Sequence, residues 1–177
     1  MNNHKAKQEK LKKVINTTKK PIHEVINDKK LIYFIEKMIA KSIKERRKNG
    51  FVSPETLFIT EDEETKTLTM SFINQSGTDK QTYFDAVGII EKMKKPKYVI
   101  SVSEGWMVEK EKMSDVVEKY GSISNHPEAI DSFHVFVKTS DAIYTGAAVV
   151  DKKICSLIWD KQEKLLGEIN FKTFEAV

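Results

Sequence analysis

Six residues in one stretch of the chain carry side chains that could share chemistry: Glu104, Trp106, His126, Glu128, Asp131 and His134. An imidazole against a carboxylate can act as a general base, and two imidazoles with a carboxylate can hold a metal ion. Glu104, His126, Glu128, Asp131 and His134 are therefore the candidate catalytic set of a hydrolase, with Trp106 as a binding residue. The same residues also have ordinary uses. Glu104 reads as a solvent-facing strand residue, Trp106 as core, His126-Pro127 as an exposed turn and His134 as a cross-strand partner. Convergence in space is the premise that linear spacing does not supply.

Other chemistries lack their motifs. No GxGxxG and no GxxxxGK[ST] is present, and the seven glycines are scattered singly, so no loop can wrap a phosphate in bare backbone. HExxH and GxSxG are missing too. Cys155 is the single cysteine; it excludes an intramolecular disulfide and reads as a buried, inert thiol. No metal and no cofactor are expected, and a non-enzymatic role is favoured.

Charge is divided unevenly. Residues 1–50 hold 15 Lys/Arg against 5 Asp/Glu, and residues 51–177 hold 15 against 21. Such a split suits a basic segment that meets a polyanion, or one that folds onto the chain's own acidic body or a sister subunit. Lys10, Lys12, Lys13, Lys19, Lys20, Lys44, Arg46, Arg47 and Lys48 could neutralise phosphates, giving sequence-blind nucleic-acid binding through residues 5–48. Arg46 and Arg47 are the only arginines, and lysine lacks the fork that reads guanine edges. No aromatic alternates with these lysines to stack bases.

The elements that must position these residues follow from hydrophobic period. Leu11, Val14 and Ile15 predict a short helix, and Ile22 to Ile43 predict a longer one over about 22–48, with Asn27-Asp28 a possible interruption and Gly50 its stop. Its apolar face over 31–43 is broad enough to meet a second copy. Beyond Gly50 the period becomes two. Leu57-Phe58-Ile59 and Leu68, Met70 and Phe72 predict a hairpin around the acidic stretch 61–64. A helix capped at Thr78 or Asp79 follows, with Tyr83, Val87, Ile90 and Met93 on one face and a stop at Pro96.

Tyr98, Ile100 and Val102 open a strand in which Gly105 marks a bulge or a close backbone approach. A long polar connection, 109–131, includes a helical turn near 115–119. Strands are then predicted at 133–137, 143–150, 154–159 and, in alternation, Leu165 to Phe171. The sum is an α+β fold: a single, mainly antiparallel sheet (hairpin, helix, then meander) with helices packed on one face.

The strand Ser103-Glu104-Gly105-Trp106, followed by the loop Ser124-Asn125-His126-Pro127-Glu128, resembles a pattern in uncharacterised phage and bacterial proteins that carry no assigned activity. That resemblance implies a small accessory protein and supplies no catalytic residue. Residues 1–20 are expected to be a basic helical segment and 21–177 one domain. With no apolar run long enough for a bilayer and no apolar signal core in the first 20 residues, a cytoplasmic protein without membrane contact is expected. It would act by binding a protein partner or by self-assembly as a homo-oligomer. Hydrolase and nucleic-acid binder are the alternatives.

Overall fold

Asp28 decides where the long helix begins. Its carboxylate accepts the backbone N–H of Lys30 at 2.9 Å and of Leu31 at 3.0 Å, satisfying two donors that the first turn leaves open. The expected helix is therefore divided into α1, Ile22–Val25, and α2, Lys29–Asn49. At the other end Gly50 adopts a left-handed φ of 83° and its N–H closes on the Arg46 carbonyl.

A computed structural model of the chain describes residue 9 and residues 20–62, 66–74, 79–108, 113–151, 153–154 and 156–163. Leu11, Val14 and Ile15 of the expected first helix, the tip of the acidic turn, the cap choice Thr78, Cys155 and the strand at 165–171 lie outside the described residues, as do Lys10, Lys12, Lys13 and Lys19.

After α2 come β1, Glu55–Asp62, β2, Lys66–Ile73, α3, Lys80–Lys94, and β3, Tyr98–Met107. Next are α4, Met113–Tyr120, a single 3-10 turn at Ile123–Asn125, β4, Ile130–Lys138, and β5, Ala142–Asp151. The final pieces are β6, Lys153–Ile154, and β7, Ile158–Glu163. All pair antiparallel in one sheet ordered β2-β1-β3-β4-β5, with β6 and β7 both on β5. The α+β architecture with one antiparallel sheet is as the sequence predicts. The strand predicted at 154–159 differs in extent, because it is divided between β6 and the later start of β7.

The helices do not share a face. On β1, Ile59 packs with Leu31, Ile32, Ile35 and Met38 of α2, whereas its neighbour Phe58 packs with Tyr83 and Val87 of α3. Successive strand residues point to opposite sides, so α2 covers one face and α3 the other. Hydrophobic period shows which side of a helix is apolar, but the side of the sheet on which it lands depends on the path of the connection. The apolar face of 31–43, broad enough for a second copy, is thus used on the chain's own sheet. Each such side chain contributes roughly 1.5–3 kcal/mol when fully buried.

Two further expectations change. Met93 is 73% exposed; the two steps of three from Val87 to Ile90 to Met93 rotate it about 120° off the packed stripe. Gly105 makes no bulge, since β3 and β4 stay in unbroken register from Val99↔Lys138 to Met107↔Ile130. Its carbonyl accepts a hydrogen bond from Ser132 Oγ at 3.0 Å. From Met113 on, the polar connection before β4 carries α4 and the 3-10 turn, where Val116 and Ile123 pack with Val108 in a small core of their own. No described helix is long and apolar enough to cross a membrane.

Candidate functional site

The five candidate catalytic residues fall into three separate settings. His126 sits in the turn before β4, where Nδ1 accepts the Glu128 N–H at 3.0 Å and the ring meets Tyr120 edge-on at 4.9 Å. That nitrogen, the one a base would use, already holds the turn together. His134 lies on the α3 face of β4, stacked on Phe136 with Nε2 2.8 Å from Ser132 Oγ. Because Ser132 gives its one proton to the Gly105 carbonyl, Nε2–H is the donor and Ser132 is no activated nucleophile.

Glu104 and Asp131 lie on the α2 face. Arg46 pairs with Glu104 and reaches Asp131 at 3.6 Å. Burial pushes the Glu104 carboxyl above its ordinary value, with Arg46 and the Val52 N–H pulling the other way. Arg46, expected on a nucleic-acid surface, is a structural cation at the end of α2. Trp106 is 42% exposed rather than core, two residues beyond the Glu104 that Arg46 holds. Among the described residues no group of three or more His, Cys, Asp and Glu is placed to hold a metal ion.

A different feature emerges along α2. Lys30, Lys37, Lys41, Lys44 and Lys48 follow one another at steps of seven, four, three and four, which place them on a single stripe of the helix. Two of them fasten α2 to β1: Lys30 to Glu61 at 2.7 Å and Lys41 to both oxygens of Glu55 at 2.7 Å. The basic helix thus folds onto the chain's own acidic body, one of the uses its charge suggested. Lys37, Lys44 and Lys48 make no ion pair among the described residues.

Beside this stripe α2 leaves the outer part of the sheet open, forming a groove of about 470 Å³. Phe34, Met38 and Leu57 give it apolar walls, Lys37, Lys41 and Lys44 a cationic rim, and Thr69 and Ser71 of β2 a small polar floor. Glu55 is the one carboxylate on its lining, and Lys41 neutralises it. The sequence signal was the lysine spacing: Lys44 and Lys48 stood out as basic residues near the helix end, whereas Lys37 and Lys41 become recognisable only as members of a stripe.

In comparisons with protein-family models, curated proteins and solved structures, none matched the chain.

Proposed function

We propose that the chain is a non-enzymatic accessory protein that binds an acidic segment of a partner protein in the groove between α2 and β2. The observation that carries this reading is the row Lys37, Lys41 and Lys44 set over Phe34, Met38 and Leu57. Apolar walls bury the stems of a bound segment, and the lysines attract its carboxylates and speed encounter. A hydrolase built on His126 draws no support from a ring whose Nδ1 is engaged within its own turn.

A nucleic-acid backbone is the second reading, favoured by one observation: the stripe continues past the groove to Lys48, so Lys37 to Lys48 covers roughly 16 Å of helix. A competition experiment separates the two. Anisotropy of a fluorescent glutamate-rich peptide should rise on adding the protein, weaken with salt, and fall roughly tenfold or more in affinity in the double variant Lys37→Glu, Lys44→Glu. Efficient displacement of the peptide by single-stranded DNA, with tighter binding of the DNA itself, would transfer the groove to nucleic acid.

A further inference from the structure

The groove reaches β2, the end strand of the sheet among the described residues, and the backbone geometry there is specific. Asn74 N–H donates to the Pro54 carbonyl at 2.8 Å, in step with the β1–β2 register. In an antiparallel ladder bonded pairs alternate with unbonded ones, so Thr56–Phe72 and Phe58–Met70 exchange hydrogen bonds. Thr69, Ser71 and Ile73 therefore turn their N–H and C=O groups away from β1, toward the edge. Thr69 and Ser71 also line the groove, and Ile73 is 46% exposed.

The two edges of the sheet are treated differently. At β7 the Lys20 carbonyl accepts the Trp159 N–H at 3.3 Å, and the strand carries Asp160, Lys161 and Glu163. β2 is eight residues long, is uncharged from Thr67 to Ile73, holds no proline, and pairs on its outer side with no strand among the described residues. Charges and prolines are the usual devices that keep an edge from pairing. Their absence over this length leaves β2 the edge suited to receive a strand.

We propose, resting on the acidic-segment reading above, that the segment enters as an added β-strand on the outer edge of β2. A strand there lies about 4.8 Å beyond β2 and turns every second side chain to the α2 face. Those positions meet Lys37 and Lys44, the rim lysines that make no ion pair among the described residues, so the recognised chemistry is an extended segment with carboxylates at alternating residues. The dimensions agree: Lys37 to Lys44 spans about 10 Å of helix axis, and Thr69 to Ile73 about 13 Å of strand.

The test uses the full chain and a labelled peptide of alternating Glu and Thr, compared with two forms of it N-methylated at alternate backbone amides, one at the Glu residues and one at the Thr residues. Methylation removes donors and leaves the carboxylates in place. The expected result is salt-sensitive binding of the first peptide, at least roughly tenfold weaker binding of the methylated one in the arm that blocks the bonding amides, and a matching loss in Ser71→Pro. Ser71→Pro removes an edge N–H that β1 does not use, so its thermal unfolding should match the parent. Equal binding of both methylated forms, with loss on Lys37→Glu and Lys44→Glu, would overturn strand addition and keep the groove. Indifference to the lysine changes would overturn both. A concentration-dependent dimer dissolved by Ser71→Pro, without peptide binding, would give the edge to a second copy.

Discussion

Tyr98, the first residue of β3, donates its phenol to Asp28, the cap of α2, across a separation of 70 residues. One carboxylate thereby starts the helix and fastens that start to the sheet. Local capping and long-range packing meet in a single side chain, and this fixes the end of α2 from which the lysine stripe runs.

Asp28→Ala should lower stability by about 1–2 kcal/mol. The Tyr98 hydrogen bond first, then the Leu31 and Lys30 N–H groups, hold the Asp28 carboxyl below its ordinary 3.8 against the opposing effect of burial. A depressed carboxyl stabilises the fold above the unfolded value, and that contribution is lost as pH falls through the folded one. Thermal unfolding of the parent and of Asp28→Asn should therefore converge as pH drops below 3.8. Parallel curves down to the most acid point would show that the charge contributes nothing.

Tyr83 presents the opposite sign on the other face. Its hydroxyl lies 2.9 Å from Thr56 Oγ1 and 3.0 Å from the Phe72 carbonyl, and Thr56 continues to Ser101 at 2.8 Å. Burial, opposed by the Thr56 bond, pushes the phenol up to about 12. A raised value stabilises the fold below the unfolded 10.0, a contribution lost as pH rises through about 12. Tyr83→Phe should cost about 1 kcal/mol at neutral pH, and denaturant melts should show a smaller further loss in alkali than in the parent.

Gly146 lies against the Trp159 ring across the β5–β7 pairing. A Cβ there would stand 3.0 Å from side-chain atoms of both Leu157 and Trp159. Gly146→Val should destabilise by about 1–3 kcal/mol through overpacking. Combining it with Trp159→Ala should recover part of that cost, a coupling that a double-mutant cycle reads directly.

Much of this arrangement was visible in one dimension. Alternation at Met70 and Phe72 against Thr69 and Ser71 separates the packed from the open side of β2, and Gly50 marks the end of α2, because both signals are local. Arg46 could not be assigned, since its partner Glu104 is 58 residues away and a basic helix end looks the same whether it meets solvent, phosphate or its own sheet. Glu55 has the same difficulty. It is 5% exposed under Lys41, a partner 14 residues before it on another element. His126 and His134 show the reverse: close in sequence to carboxylates, they are held by Glu128 N–H and Ser132 in separate local roles.

Arg46 offers the sharpest test of how α2 is held. Its side chain is 17% exposed between Glu104 at 15% and Asp131 at 34%, so Arg46→Met leaves two carboxylates facing one another without their cation. Removing one partner of a half-buried pair should cost about 2 kcal/mol at neutral pH. Burial already raises the Glu104 carboxyl, and Arg46 is the main group lowering it, so in the variant that carboxyl rises further. A group raised in the folded state stabilises it below the unfolded value of 4.5 and loses that contribution as pH increases. The penalty of Arg46→Met should therefore shrink as pH falls through the titration of Glu104, and the added change Glu104→Gln should recover most of it at neutral pH. Denaturant melts of the three proteins at neutral and mildly acid pH make the comparison. A penalty independent of pH and untouched by Glu104→Gln would mean that Arg46 holds α2 through its packed stem and not through its charge.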